Sequence, residues 1–386
     1  MRIAVPKEIM AGERRVAATP DTVKKYRKLG HEVYVEAGAG AGIFVTDDAY
    51  REAGALVTRN VEEMLAAADL ILKVKQPMLN ATAGKHEVDM MSTGAMLVTF
   101  LHPASPESHD MVRKLRDRGI TSFTMDGIPR ITRAQAMDAL TSMSTCTGYR
   151  AVLDAARHLP RFMPMIGTAI GTTKPAEVLV IGAGVVGLQA LATAKRLGAV
   201  IHAWDIRAAA RKDAASLGAK DAGFAIPETL AVGKGGYALE LPPSWLARER
   251  EALAPLISRV DVVICSALVP GAVAPMLVTH DMVRSMRPGS VIVDVSIDQG
   301  GNCEVTQAGA YIVLYNVTVS GIQNIPGRMP EHATWLYAEN LYRYVENLLK
   351  HGGVVDLSDE VVANTLVTRD RKIHYKPALD AMREAG

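Results

Sequence analysis

Three glycines at a fixed spacing, Gly182, Gly184 and Gly187, form the clearest chemical motif of the chain. They follow an apolar run at residues 178–181 and precede a helical pattern. In such a unit the first glycine permits a tight turn, the second lets a pyrophosphate approach the backbone, and the third lets the helix pack closely on the strand. The phosphates would then face the helix N-terminus. A glycine turn can also be purely structural, but the complete strand–turn–helix unit favours a dinucleotide site.

An acidic residue in the right place strengthens this prediction. Asp205 ends the next apolar run, 18 residues after the last glycine, where a carboxylate can accept hydrogen bonds from the adenosine ribose. It would repel a 2′-phosphate, so NAD(H) is expected rather than NADP(H). Arg207 is the opposing signal, since an arginine there can accommodate that phosphate. The predicted pyrophosphate and adenosine site comprises Gly182, Gly184, Val185, Val186, Gly187, Asp205, Ile206 and Arg207.

A second group of residues is suited to proton transfer and carboxylate binding. Lys75, His102 and Asp298 each follow a predicted parallel strand, and Arg15 follows the first strand of the chain. Taken singly, these are a surface lysine, a structural histidine, a turn aspartate and a surface arginine. Their shared placement at strand ends, where ligands bind in α/β folds, favours a catalytic role. Histidine is suited to proton transfer because its ordinary pKa is close to neutral pH.

The elements that must position these residues alternate along the chain. Short runs of β-forming residues are separated by amphipathic segments, which predicts an α/β fold with two doubly wound, Rossmann-like lobes and a cleft between them. Long helical patterns at 132–159 and 330–353 bracket the second series of strands. We therefore expect an NAD-binding domain at 141–329 to be inserted into a substrate domain made of 1–140 and 330–386.

Composition excludes several classes of protein. The 386 residues include 43 Lys+Arg and 41 Asp+Glu, a balance that argues against a nucleic-acid partner. Three widely spaced cysteines and scattered histidines favour a reducing cytoplasm and predict neither disulfides nor a metal site. The longest uncharged run, 178–194, contains the glycine motif, so no membrane insertion is expected.

Motifs spread along the whole chain carry a family resemblance. They are MRIAVPKE, ILKVKQP, GAGVVG, ALVPGAVAP, RPGSVIVDVSIDQGGNCE and QNIPG. With these the chain resembles the family of alanine dehydrogenases and of the NAD(H)-binding α subunits of proton-translocating NAD(P) transhydrogenase. The resemblance implies NAD(H) as cofactor, a homo-oligomer (dimer or hexamer), and Asp298 and Asn324 beside the nicotinamide. Strand ends at 267–270 are expected to lie there too, so Ser266, Ala267 and Leu268 join the predicted cofactor site.

Other segments look more like the transhydrogenase subunit. The segment PRITRAQAMD matches a loop that places an Arg, a Gln and an Asp around the nicotinamide, here Arg130, Gln135 and Asp138. The segment GGYALEL at 235–241 resembles that subunit's mobile loop, which alanine dehydrogenases lack.

The predicted catalytic residues resemble alanine dehydrogenases instead. That family uses an Arg and a Lys to hold the substrate carboxylate, a His as acid/base and an Asp near the reacting carbon, which matches Arg15, Lys75, His102 and Asp298. Transhydrogenase subunits usually keep only the Arg. The leading hypothesis is an NAD-dependent dehydrogenase of a small 2-amino acid. The alternatives are a transhydrogenase component that acts with membrane subunits and, more weakly, a module that only binds NAD.

Overall fold

The computed structural model describes residues 1–233, 236–269 and 273–384. In chain order its strands are β1 (Arg2–Val5), β2 (Glu32–Glu36), β3 (Leu56–Thr58), β4 (Leu70–Leu72), β5 (Leu79–Asn80), β6 (Lys85–His86), β7 (Met96–Thr99), β8 (Thr121–Thr124), β9 (Gly167–Thr168), β10 (Gly171–Thr172), β11 (Glu177–Ile181), β12 (Val200–Trp204), β13 (Lys220–Asp221), β14 (Val262–Cys265), β15 (Val291–Asp294), β16 (Tyr311–Leu314), β17 (Val317–Ser320), β18 (Leu366–Arg369) and β19 (Lys372–Ile373). The α-helices are α1 (Pro20–Lys28), α2 (Asp47–Glu52), α3 (Val61–Ala67), α4 (Glu87–Met90), α5 (His109–Arg118), α6 (Ala139–His158), α7 (Val185–Arg196), α8 (Ala208–Ser216), α9 (Glu228–Ala231), α10 (Pro243–Ile257), α11 (His280–Ser285), α12 (Pro330–Leu349), α13 (Glu360–Thr365) and α14 (Lys376–Glu384).

The chain divides into two compact units. The first consists of Met1–Met143 together with Pro326–Gly386, and the second is the continuous segment Ser144–Ile325. Each unit is built on its own sheet. Among the helices in the described part of the chain, none is long and apolar enough to cross a membrane.

The sheet of the first unit has the strand order β19-β18-β8-β7-β4-β1-β2-β3. The pairs from β8 to β3 are parallel, whereas β18 and β19 are antiparallel additions at one edge. Every residue of β4 is fully buried, as expected of a central parallel strand covered on both faces. The carboxyl ends of β8, β7, β4 and β1 therefore lie side by side at one edge of this sheet.

The sheet of the second unit has the order β13-β12-β11-β14-β15-β17-β16, with all pairs parallel except β16–β17. Alternate residues of β11 enter two different cores: Val178 and Val180 belong to one, and Leu179 and Ile181 to the other. The sheet is thus covered on both faces, and the predicted α/β fold of Rossmann-like sheets is confirmed.

Local details differ from the sequence prediction in two places. The helix expected over 132–159 begins at Ala139, because Asp138 accepts hydrogen bonds from the backbone and hydroxyl of Thr141, and residues 132–137 form a 3-10 turn. The apolar run at 311–317 is not one strand. Tyr315 and Asn316 both adopt positive φ and make a hairpin turn, so β16 runs antiparallel to β17.

Candidate functional site

The glycine turn of the second unit leaves space for a ligand at one glycine and none at the other two. A Cβ on Gly187 would lie 1.9 Å from the Gly182 carbonyl oxygen, and one on Gly182 would lie 2.7 Å from the Ala267 nitrogen. Gly184 caps α7, and a Cβ there would meet nothing within 4 Å. Two glycines are therefore required by packing, and the third opens the helix N-terminus to an approaching group. This cradle fits the pyrophosphate of a dinucleotide.

Asp205 lies at the end of β12 and is held by several donors. Its Oδ2 accepts the Ala183 amide at 2.8 Å, and the Arg207 guanidinium forks onto both carboxylate oxygens at 2.8 and 3.0 Å. The Arg207 backbone amide donates to Oδ1 as well. The two residues that gave opposite cofactor signals are thus one ion pair, in which the Asp205 side chain is 5% exposed. Ile206, Val185 and Val186 are half-buried around this turn.

The strand ends next to the glycine turn carry the other predicted cofactor residues. The Ser266 hydroxyl donates to the Gly182 carbonyl at 2.8 Å, and Leu268 is exposed. Asp298 is an exposed residue of a 3-10 turn after β15, and its Oδ1 accepts a hydrogen bond from the Gln323 amide at 2.8 Å. Asn324 adopts a left-handed conformation with φ 50°. The segment 270–272, inside the ALVPGAVAP motif, lies outside the described residues.

In the first unit, Lys75 and His102 follow adjacent strands. Lys75 comes three residues after β4, and the Thr99 hydroxyl donates to its carbonyl at 3.0 Å. His102 comes three residues after β7, which pairs with β4. Because parallel neighbours end at the same edge, these two residues lie at one edge of the sheet, as their sequence positions predicted.

His102 is fixed by Asp126, which follows β8. The imidazole Nδ1 lies 2.8 Å from Asp126 Oδ1, and the His102 backbone amide donates to Oδ2 at 2.9 Å. Burial alone would raise the pKa of Asp126, but the His102 ring and its hydrogen bonds outweigh that and hold it below the ordinary value. The imidazole stacks on Phe100, with ring centroids 5.7 Å apart, and is 49% exposed.

His102 also has a strained backbone. Its φ of 45° lies in the left-handed region, which residues other than glycine rarely adopt. The Asp126 carboxylate accepts its amide, and its carbonyl accepts the Ser105 amide at 2.9 Å. Such strain is typical of functional positions, where the surrounding structure holds one side chain in one orientation.

Arg15 is buried against Glu13. The guanidinium Nε and Nη2 donate to the two oxygens of Glu13 at 2.8 and 2.6 Å, and Nη1 lies 3.0 Å from the Met143 sulfur. Both side chains are almost inaccessible, at 2% and 0% exposed. Glu13 therefore fixes the plane of a guanidinium that the sequence alone presented as a surface charge.

A cluster of three buried charges lies behind the ends of β1 and β4. Lys73 Nζ is 2.9 Å from Glu87 and 3.4 Å from Glu8, and the Lys73 side chain is fully inaccessible. Burial would lower the pKa of Lys73, but the two carboxylates outweigh it and raise that pKa. The Tyr337 hydroxyl donates to the Lys73 carbonyl at 2.7 Å. This cluster joins the segments that lead to Lys75 and was not found from the sequence.

The loop that resembles the transhydrogenase subunit belongs to the first unit. Arg130 and Gln135 are exposed, and Asp138 caps α6 through Thr141. Of the second such segment, 235–241, residue 235 lies outside the described residues; within the rest, the Arg207 guanidinium donates to the Gly236 carbonyl at 3.3 Å. The cofactor roles of these residues stay predictions.

Sequence reasoning missed Asp126, Glu13 and the Lys73 cluster. Asp126 precedes a glycine and has the pattern of a turn residue, so its only signal was its place after a predicted strand. Lys73 sits two residues from Lys75 in KVK, which suggests solvent exposure. In the described residues no group of three or more His, Cys, Asp or Glu is placed to hold a metal ion.

The fold and the glycine cradle define a dinucleotide-binding α/β protein. The models of the alanine dehydrogenase/PNT family match this chain almost throughout: the N-terminal domain model matches residues 4–147 and the C-terminal domain model residues 151–376. The chain belongs to this family, as its motifs predicted.

Individual relatives come from both branches of the family. An NAD(P) transhydrogenase subunit alpha of Rhodospirillum rubrum is 43% identical over 387 residues, covering 98% of this chain and 99% of that protein. An alanine dehydrogenase of Methanococcus maripaludis is 31% identical over 405 residues, covering all of both chains. The crystal structure of transhydrogenase from Sinorhizobium meliloti is 39% identical and superposes with a TM-score of 0.84, covering 97% of this chain and 100% of that one.

The family membership confirms two predictions about this chain. It is an NAD-dependent oxidoreductase, and its cofactor is NAD(H). The family includes both alanine dehydrogenases and transhydrogenase α subunits, so membership alone does not choose between the two reactions.

Proposed function

We propose that the chain is an NAD-dependent dehydrogenase that interconverts a small 2-amino acid and its 2-oxo acid, with release or uptake of ammonia. The observation that carries this proposal is the His102–Asp126 pair, with Nδ1 and Oδ1 2.8 Å apart and a half-exposed ring. A hydride relay between two nicotinamides needs no proton donor. Oxidation of an amine does, because a proton must leave nitrogen as hydride leaves carbon.

The proposed role of the first unit is to bind and orient the substrate. Arg15 and Lys75 supply two cations for a carboxylate, and Arg15 offers the planar fork that suits bidentate pairing. Because Glu13 holds one edge of the guanidinium, its orientation is set before a substrate arrives. We assign the first unit to the substrate and the second, with the glycine cradle, to the cofactor.

His102 is the proposed acid/base. NAD⁺, when bound, accepts the hydride from the substrate Cα. His102 takes the proton from the amine nitrogen and later assists addition of water and loss of ammonia. Asp126 stabilises the imidazolium that forms and keeps Nδ1 engaged, so that proton transfer is left to Nε2. Asp298 is proposed to orient the amine or the attacking water.

The transhydrogenase reaction is the second candidate, and the 43% identity to the Rhodospirillum rubrum subunit favours it. In that reaction the chain would exchange hydride with an NADP(H)-binding partner of a membrane complex, docking through the segment 235–241. Arg15, Lys75, His102 and Asp298 would then have no substrate to bind. Either reaction is compatible with a homo-oligomer and a cytoplasmic location, which we also propose.

The experiment that separates the two candidates is turnover by the isolated chain. The dehydrogenase proposal predicts ammonium-dependent oxidation of NADH by a small 2-oxo acid with no other protein present. The transhydrogenase proposal predicts no such turnover, and hydride exchange only after an NADP(H)-binding partner is added.

A further inference from the structure

Asn302, a buried residue outside every predicted site, connects three segments of the second unit. Its side chain is fully inaccessible and uses all of its hydrogen-bonding capacity. The Oδ1 atom accepts the Ala267 amide at 2.9 Å and the Ser296 hydroxyl at 2.8 Å. The Nδ2 atom donates to the carbonyls of Ala267 at 2.9 Å and Pro275 at 2.8 Å. The carboxamide thus pairs with both backbone groups of Ala267, as a neighbouring strand would.

Asn302 is itself held in place by the end of β15. Its backbone amide donates to Asp294 Oδ2 at 2.9 Å, and its carbonyl accepts the amides of Leu277 and Val278, both at 2.9 Å. Burial raises the pKa of Asp294, and the backbone amides of Cys303, Ser296 and Asn302 that point at its carboxylate offset part of that effect. The carboxamide is therefore a fixed point rather than a mobile side chain.

The segment that Asn302 holds is in direct contact with the glycine turn. Ser266 donates from its backbone to the Ile181 carbonyl at 2.8 Å and from its hydroxyl to the Gly182 carbonyl at 2.8 Å. Gly182 lacks space for a Cβ because Ser266 and Ala267 lie against it. Asn302, Ser266–Ala267 and the glycine turn therefore form one hydrogen-bonded unit.

The strand order shows which half of the cofactor this unit would serve. β12, which ends in front of Asp205, lies on one side of β11, and β14 and β15 lie on the other. With the pyrophosphate at the glycine turn and the adenosine ribose at Asp205, the nicotinamide half must extend over the ends of β14 and β15.

We propose that Asn302 is a positioning residue for the nicotinamide half of NAD(H), acting through the Ser266–Ala267 backbone. The proposal concerns the cofactor site and holds whether hydride passes to a small substrate or to another nicotinamide. Asparagine is required there because one end of the side chain must accept and the other must donate. An aspartate would direct an oxygen at the carbonyls of Ala267 and Pro275 and lose both donated hydrogen bonds.

The test is Asn302→Asp, measured by the dissociation constants of NADH and of ADP-ribose, which lacks the nicotinamide. We expect the Kd of NADH to rise on the order of tenfold or more, because two buried hydrogen bonds are lost. The Kd of ADP-ribose should change less than about twofold, because Asp205 and the glycine turn keep their contacts. Gln307→Glu, an exposed amide-to-acid change in the same unit, is the matched control and should alter neither constant.

A second variant covers the case in which Asn302→Asp does not fold. Ser296→Ala removes only the hydroxyl that donates to Oδ1, and we expect a rise of roughly two- to tenfold in the Kd of NADH with ADP-ribose unaffected. If folded variants weaken both ligands equally, or leave NADH binding unchanged, Asn302 is a purely structural residue and the proposal is wrong.

Discussion

Asp126 binds the same residue twice, because its two oxygens accept the imidazole Nδ1 and the backbone amide of His102 at 2.8 and 2.9 Å. The two residues come from adjacent parallel strands, β7 and β8, and meet only because these strands end at the same edge. One carboxylate thus fixes both the ring and the left-handed backbone of the proposed acid/base. That arrangement distinguishes a working histidine from one that merely fills a strand end.

Asp126→Asn tests this pair. The variant keeps an oxygen for the backbone amide but removes the charge that stabilises an imidazolium. We expect kcat with a 2-oxo acid and ammonia to fall by about one to three orders of magnitude. The pH–rate profile should also move to lower pH, because loss of a neighbouring anion disfavours the protonated ring. Asp110→Asn, at a carboxylate that is 97% exposed, should behave as wild type. An unchanged pH profile in a folded Asp126→Asn protein would contradict the assignment.

Lys75→Met tests the proposed carboxylate site without disturbing the buried charges. Removal of one cation should raise the KM for the 2-oxo acid by roughly ten- to a hundredfold, because a charge-assisted hydrogen bond is lost. The Kd of NADH should stay constant, which separates a substrate effect from a cofactor effect. Lys24→Met, at an exposed lysine of α1, is the control. Equal KM values for the two variants would remove Lys75 from the site.

Two alanine substitutions in the glycine turn should separate packing from ligand approach. Gly187→Ala places a methyl group 1.9 Å from the Gly182 oxygen, so we expect a loss of stability of about 1–3 kcal/mol or more, seen as a lower Tm. Gly184→Ala meets nothing within 4 Å, so its Tm should match wild type, while its NADH affinity falls on the order of tenfold. Wild-type NADH affinity in Gly184→Ala would show that the pyrophosphate does not lie there.

The pH dependence of stability should report Glu249. Burial raises its pKa to about 7, although the Trp204 indole, 2.9 Å away, donates a hydrogen bond that lowers it. The folded protein thus favours the protonated acid more than the unfolded chain does, and this stabilisation is lost as pH rises from the ordinary glutamate range through about 7.

Glu249→Gln stays neutral throughout that range. Relative to wild type, its free energy of unfolding should increase by about 1–3 kcal/mol between pH 5 and pH 8. Denaturant unfolding at the two pH values measures this difference. Glu251→Gln, an exposed position on the same helix, should show none of it. A pH-independent difference between Glu249→Gln and wild type would mean that Glu249 ionises normally.

The features of the site that the sequence could predict depend on local spacing. The glycine turn and Asp205 belong to one strand–helix–strand unit, so their pattern is complete within a short window. Lys75 and His102 were predictable because a residue after a parallel strand lies at the binding edge whichever strands are neighbours.

The features that the sequence could not predict depend on which strands are neighbours. Asp126 acts on His102 only because β8 lies beside β7, and Asn302 reaches Ala267 only because β15 lies beside β14. Similarly, Lys73 resembles a surface lysine until Glu8 and Glu87 are brought to it from other segments. In the run at 311–317, β-forming residues hid a turn because Tyr315 and Asn316 are not the glycines that usually mark positive φ.

The most direct test of the proposed function is an assay of the isolated chain with NADH, ammonium and a panel of small 2-oxo acids, followed by the absorbance of NADH. The account predicts oxidation of NADH that requires both ammonium and the 2-oxo acid, forms the corresponding 2-amino acid, and is lost in His102→Ala. The contradicting result is a folded protein that binds NADH, fails to oxidise it with every 2-oxo acid of the panel, and exchanges hydride only when an NADP(H)-binding partner is added.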